Sequence, residues 1–532
     1  MAWEENSCIC LNMQLIAILS RIGVILHDDN MRLKQALILL FLMFSAVVRA
    51  QTIVRKAYPA PKVTPQVQRI RSTMRPMRLD TEGVTLPEAV DNSKKKYFPP
   101  IINQDGGSCA QASSIGYVFT YEVNRLLNRD ASASTDNRFA YKFSWNMLND
   151  GEDQGGFAEQ GFYLAQRYGM MTEADYGDSG LYQFRWASGY DKYLKAMRYR
   201  VKDILSFDAT DLISLKRWLY DAANGSSTGG LLTFSSQSSG WTINDRYDGP
   251  SKTGYHSLLT HLATSGAHAM TIVGYDDLVE FTDPNGAMHK GAFIVTNTWG
   301  TFSHDHGRFY LPYWFFTSHQ HTDLELSSKM QAVRVMTYEP KVVFKIRLKY
   351  SSRNDLSFGT DFRNDGNTTS TPLYTYAQAF FNAGGDYPMQ GQYLSNEIEI
   401  AIDASSKAGA TATNGDVFFL SVKKAAIGKT VGDGTVEAVS LIDYRGAEPV
   451  EHECVATSLP TAVKPGITAF YVKLSDNSKS RYIVSASPYK YEENGTASSR
   501  TFVVRTANGK AMKMGFGNMT ADGQQVDIRI GD

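Results

Sequence analysis

Asn103-Gln104-Asp105-Gly106-Gly107-Ser108-Cys109 runs straight into Ala110-Gln111-Ala112-Ser113-Ser114-Ile115-Gly116-Tyr117-Val118-Phe119. The glycine pair punctuates an irregular approach, and Ser108 stands where a helix N-cap is expected. Beyond it Ala112, Ile115, Gly116, Phe119, Val123, Leu126 and Leu127 fall at spacings of three and four, which predicts a helix with one apolar stripe. Cys109 would then sit in the first turn, where the helix dipole favours a thiolate, the nucleophilic form of the side chain. Gln104 lies just upstream. Its amide and the Cys109 backbone N–H are candidates for an oxyanion hole. A lone cysteine here also has a plainer reading, a buried structural thiol.

Two downstream segments decide between these readings. Gly266-Ala267-His268-Ala269-Met270-Thr271-Ile272-Val273-Gly274-Tyr275 places a histidine at the start of an apolar strand. Phe293-Ile294-Val295-Thr296-Asn297-Thr298-Trp299-Gly300 is a strand ending in a polar residue. Asn297 can accept the His268 ring N–H and fix its tautomer, with Trp299 shielding that bond from water. Each segment is weak alone. In the order Cys, His, Asn they supply nucleophile, base and orienter.

Texture along the chain sets the boundaries. Residues 1–30 have no recognisable domain start, whereas Met31 opens a basic head (Arg32, Lys34), an apolar run from Ala36 to Val48 and a Val48-Arg49-Ala50 cleavage pattern. This predicts an exported protein with a signal peptide in residues 1–50, translation starting at Met31, and a secreted, periplasmic or cell-surface location. The alternative is a single membrane anchor, although the run is short for a span. Residues 51–79 hold seven Lys or Arg, four Pro and no acid, so 51–85 reads as a flexible basic leader. Residues 86–339 mix helices (158–168 and near 212–223) with strands near 231–234, 269–275, 292–297 and 308–311, which predicts an α+β, two-lobed enzyme. From 340 to 532 only strand-length runs appear, among them 342–350, 397–402, 417–422, 469–474, 482–486 and 502–506. They predict a β-sandwich that folds on its own and lends no catalytic group.

Lys plus Arg (54) equals Asp plus Glu (54), so no global field favours nucleic acid or an anionic membrane. With Cys8 and Cys10 ahead of the cleavage site, Cys109 and Cys454 remain, a poor disulfide framework for an exported chain. His304 with His306, and His319 with His321, read as surface histidines rather than metal ligands, and no metal or cofactor is expected. His256 and His261 compete with His268 as the base, but neither leads into a strand. Asn494-Gly495-Thr496 is a sequon.

Gln104, Gly107-Ser108-Cys109, His268 and Asn297-Thr298-Trp299-Gly300 together resemble the signature segments of papain-like cysteine peptidases. Gly155-Gly156 followed by Phe162-Tyr163-Leu164, the Leu86-Pro87 start and Gly307-Arg308-Phe309-Tyr310 fit the same pattern, over residues 86–339. The resemblance implies peptide-bond hydrolysis through a Cys109 acyl-enzyme without a cofactor, with protein or peptide as substrate. It also implies substrate contacts from Gly155, Gly156, Ala267 and Trp299. The C-terminal β region would bind a glycan or protein partner. Departures are the five-residue step from Gln104 to Cys109, one shorter than usual, Ala110 in place of a tryptophan, and the absence of the family's disulfide cysteines. An aminopeptidase or transferase on the same scaffold, or a binding protein with a dead peptidase domain, are the rival readings.

Overall fold

The computed structural model describes residues 58–532 apart from 178–183, 224–227, 319–324, 392–395, 426–430, 456, 477–479, 483–500, 506–510, 520–525 and 532. The signal segment, His319, His321 and the sequon therefore lie outside the described residues. From Ala57 onward the chain is one compact unit.

The helix predicted after the glycine pair forms as three consecutive pieces: Cys109–Gln111, a π-helical stretch Ala112–Phe119, and Thr120–Leu127. Instead of showing one apolar stripe, it is buried on every side from Cys109 to Asn124. Its polar residues survive burial because they are bonded. Ser113 Oγ donates to the Met270 carbonyl at 2.8 Å and lies 2.7 Å and 2.8 Å from the hydroxyls of Thr233 and Thr271. Ser108 occupies the N-cap position, its carbonyl accepting the Ala112 N–H at 2.9 Å, but its side chain caps no helix N–H. Its hydroxyl turns back to the Asp105 carbonyl at 2.6 Å, closing the preceding turn instead.

Behind this helix, ten strands among the described residues form one sheet. They are β1 (Arg75–Met77), β2 (Ala89–Asp91), β3 (Tyr199–Asp208), β4 (Leu232–Gln237), β5 (Thr242–Asn244), β6 (Leu258–His261), β7 (Ala267–Thr282), β8 (Met288–Thr296), β9 (Arg308–Pro312) and β10 (Lys329–Thr337). The order is β1-β3-β10-β4-β7-β8-β9-β6-β5, with β2 also on β7. β7 is the spine. Its first ten residues are almost continuously buried, as expected of a strand covered on both faces.

The leader is not structureless. Thr64 accepts the Val67 N–H at 3.3 Å and Pro65 opens helix α1 (Pro65–Thr73), whose Val67 and Ile70 are buried. The capping threonine and proline carried that signal in the sequence, but the surrounding basic and proline-rich composition obscured it.

The all-β texture after 340 is present as two antiparallel sheets. One contains β11 (Val342–Tyr350), β14 (Glu397–Asp403), β16 (Gly434–Asp443), β17 (Val450–Glu453), β18 (Thr461–Ala462) and β20 (Ser480–Tyr482). The other runs β13 (Thr375–Tyr376), β12 (Leu356–Arg363), β15 (Val417–Lys424), β19 (Gly466–Lys473). A further set, β21 (Thr501–Arg505), β22 (Ala511–Met519) and β23 (Val526–Gly531), pairs antiparallel. The expected independence of this region is not what the packing shows. One hydrophobic core runs across position 340. Phe380 packs edge-on against Tyr168 (5.1 Å between centroids) and Trp186 (5.5 Å). Gly189 N–H donates to the Glu399 carbonyl at 2.9 Å, and Arg200 pairs with Asp403 at 2.7 Å. Cutting near 340 would strip aromatic surface of the kind that dominates core energetics. Cys454 is buried in this region, its thiol donating to the Tyr471 carbonyl at 3.3 Å.

Candidate active site

The two walls of a cleft of about 570 Å³ come from opposite parts of the fold. Its lining includes Cys109 on one wall, Ala267, His268 and Ala269 on the other, and Gly155, Gly156, Phe157 and Glu159 at the rim.

The helix wall is shaped by close backbone approach. Gly106 has φ +51°, in the left-handed region, and a Cβ on Gly107 would stand 2.7 Å from the Gln154 carbonyl carbon. Only glycine lets this turn lie against Gln154-Gly155. The Asp153 carboxylate holds the turn by accepting the Gly107 N–H at 2.8 Å. Sequence reading gave Asp153 no part. A carboxylate beside a glycine pair has no local periodicity to reveal it.

The backbone amides of Ala269, Ala110 and Cys109 and the Gln104 side chain lie near the Cys109 sulfur and each pulls its pKa down. Gln104 and the Cys109 amide thus both lie near the sulfur despite the shorter spacing. The Gln104 amide is braced at both ends, donating to the Gly106 carbonyl at 2.8 Å and accepting from the Thr298 hydroxyl. The thiol itself departs from expectation. It is 7% exposed, and burial pushes its pKa up more than the four donors pull it down. A helix N-terminus does not by itself make this sulfur a resting thiolate.

The sheet wall is set by strand register. β7 pairs antiparallel with β8, Thr271 opposite Thr296, so the start of β7 lies alongside the end of β8. His268 Nε2 is 2.8 Å from Asn297 Oδ1. That oxygen also accepts the Thr298 N–H at 2.7 Å, which fixes the amide orientation and makes His268 Nε2 the protonated nitrogen. Nδ1 is then the basic nitrogen. Trp299 stacks on the imidazole, centroids 4.5 Å apart at 25°. Trp241, from a loop that sequence reading passed over, stands 5.4 Å from Trp299 and 6.3 Å from His268. Of the predicted substrate contacts, Gly155, Gly156 and Ala267 line the cleft, whereas Trp299 is outside its lining and acts on the imidazole.

The walls are tied together behind the cleft. Gln104 N–H donates to the Thr298 carbonyl at 2.8 Å and Gly300 N–H to the Ile102 carbonyl at 2.9 Å. Tyr117 on the central helix donates to the Asn297 carbonyl at 3.0 Å and accepts the Ile102 N–H at 2.7 Å. Tyr117 is a positioning residue that the apolar stripe concealed, since an aromatic in a buried helix reads as packing.

Among the described residues, the other histidines are outside the lining of this cleft. His256 faces the Tyr247 carbonyl at 3.1 Å, His261 is exposed beside Thr260, and burial lowers the His304 pKa against the pull of Asp245. Among the described residues no three His, Cys, Asp or Glu side chains group as a metal site, and no helix is long and apolar enough to cross a membrane.

The leader also reaches the cleft. Tyr58, Pro59, Ala60, Pro61 and Val63 line it, together with Arg71 and Met74. Ala267 N–H donates to the Tyr58 carbonyl at 2.9 Å, and the Tyr58 hydroxyl meets both Asp153 oxygens at 2.9 Å.

No family model and no curated protein matches the chain. Among solved structures, it is similar to xylellain, a cysteine protease from Xylella fastidiosa, at 15% identity over 53% of this chain and 99% of that one, TM-score 0.36. It is also similar to procathepsin B S9 from Trypanosoma congolense, at 16% identity over 53% and 87%, TM-score 0.35. A recombinant stem bromelain precursor aligns at 13% identity over 54% and 79%, TM-score 0.34. The four residues in the order Gln104, Cys109, His268 and Asn297, on which the sequence resemblance of residues 86–339 to the papain-like cysteine peptidases rests, are brought together at this one site.

Proposed function

We propose that the protein is a cysteine-type peptidase with Cys109 as nucleophile, His268 as general base and acid, and Asn297 as orienter. The observation that carries this reading is one cleft lined by both Cys109 and a histidine whose Nε2 is held by Asn297 at 2.8 Å. Burial raises the Cys109 pKa, and His268 Nδ1 takes the thiol proton as the sulfur attacks the scissile carbonyl. Charge builds on the carbonyl oxygen next to the Cys109 N–H and the Gln104 amide, which together stabilise it. The C–N bond breaks, the amine leaves with the proton from His268, and Cys109 carries the acyl group as a thioester. Water then attacks, giving its proton to His268, and the thiolate departs and is reprotonated.

Peptide as the substrate class is supported by the cleft already holding main chain. Ala267 N–H pairs with the carbonyl of Tyr58, and Gly155-Gly156 offers a side-chain-free edge opposite. The basic head and apolar run of residues 31–50 support export, so that the reaction takes place outside the cytoplasm. An epoxide or vinyl-sulfone thiol reagent tests the reading. One equivalent should attach at Cys109, and the labelled protein should cleave no peptide in a library that the untreated protein does cleave. Labelling without any peptide cleaved by the untreated protein would reject hydrolysis.

A further inference from the structure

At the rim of the cleft a carboxylate and an aromatic ring meet a cation from the leader. Glu159 is the second residue of helix α2 (Ala158–Tyr168), and its side chain is 3% exposed. Arg71 of α1 donates from Nε to Glu159 Oε1 at 2.7 Å, yet Arg71 itself is 42% exposed. Its guanidinium carbon stands 4.7 Å from the centre of the Phe157 ring. Arg71, Phe157 and Glu159 line the same cavity as Cys109, His268 and Gly155-Gly156.

The asymmetry matters. An acid in the first turn of a helix complements the dipole from an exposed position and gains little from burial. Glu159 is instead sunk into a cleft wall with an arginine brought to it from another segment. A buried carboxylate deprived of its partner is costly, so a Glu159 without Arg71 would favour another cation. Carboxylate and ring face together suit a guanidinium, which pairs with one and stacks on the other. The other cation lining the cavity, Lys329, is engaged by Asp208 at 2.9 Å.

We propose that Glu159 and Phe157 form a subsite for a basic substrate side chain, arginine above all, and that Arg71 fills it in the structure described. The inference rests on the peptidase reading, and makes peptides carrying arginine in the stretch along Gly155-Gly156 the favoured class.

The test uses the full chain with Cys109→Ala, so that nothing is turned over, and Arg71→Ala, so that the leader no longer fills the subsite. The probes are fluorescent octapeptides in which one arginine is moved along an alanine- and phenylalanine-based sequence, each with a twin carrying uncharged citrulline. At one position the arginine peptide should bind at least tenfold tighter than its twin, and adding Glu159→Gln should close the gap. Equal binding of the twins at every position overturns the inference, as does binding of no peptide at millimolar concentration. A gap that survives in folded Glu159→Gln protein overturns it as well. If Glu159→Gln does not fold, the twins in the Arg71→Ala background decide the matter alone. Since the readout is binding, failure of the peptidase reading shows separately, as absence of hydrolysis by the unmodified protein.

Discussion

On the helix wall of the cleft, Cys109 is held by backbone: a glycine turn lying against Gln154-Gly155, and the backbone N–H groups of Cys109 and Ala110 next to the sulfur. On the sheet wall, His268 and Asn297 are held by register, the pairing of β7 with β8 setting one side chain beside the other. The helix wall tolerates almost no change in shape but owes little to side-chain identity beyond Cys109 and Gln104. The sheet wall depends on side chains that strand pairing delivers but does not choose. In the proposed reading each wall therefore supplies one reacting group, Cys109 on the first and His268 on the second, with the Gln104 donor on the first wall and the Asn297 orienter on the second.

The difference can be broken or sharpened by substitution. Cys109→Ala should lower kcat/KM by at least about 10³-fold with the melting temperature nearly unchanged, because one sulfur at a cleft surface carries little packing. Comparable turnover in that variant would remove the helix wall from the chemistry. Gln104→Ala should come next, with a fall in kcat on the order of 10²-fold and KM little altered, as expected of a donor that acts on developing charge. A change in KM alone would make Gln104 a ground-state contact.

Asn297→Ala should cost less, about tenfold in kcat, because both reacting groups remain and only the orientation of His268 is lost. A loss equal to that of Cys109→Ala would place the two walls on the same footing. The smallest effect expected is in the pH profile of the unmodified protein. Burial raises the Cys109 pKa, so iodoacetamide alkylation should keep climbing above the pH at which an ordinary cysteine levels off. A plateau reached below neutral pH would mean that the donors and His268 outweigh burial and that the pair rests as thiolate and imidazolium.

Several of these features were readable beforehand because they are local. Helix α2 spans the predicted residues 158–168, and β11 the predicted 342–350, since each is a long run of one period. Strands β3 and β10 were not anticipated, although they pair over most of their length, because each acquires its strand character from the other. Helix α1 was overlooked for a different reason: its cap is local, but its stability comes from two buried side chains in an otherwise polar segment.

The sequence by itself determined the order Gln, Cys, His, Asn, the glycines that admit close backbone approach, and the polar strand ends that carry His268 and Asn297. These follow from residue type and period, which the chain carries wherever it lies. Only the tertiary structure decided that Tyr117 and Ser113 tie the walls together, that Asp153 fixes the glycine turn, and that the β region past 340 shares the core of the rest. It alone set the direction in which the Cys109 pKa moves, since the dipole of a helix is written in the sequence but the water excluded around the sulfur is not. The meeting of Arg71 with Glu159 belongs there too, because it joins residues 88 positions apart that have no pattern in common.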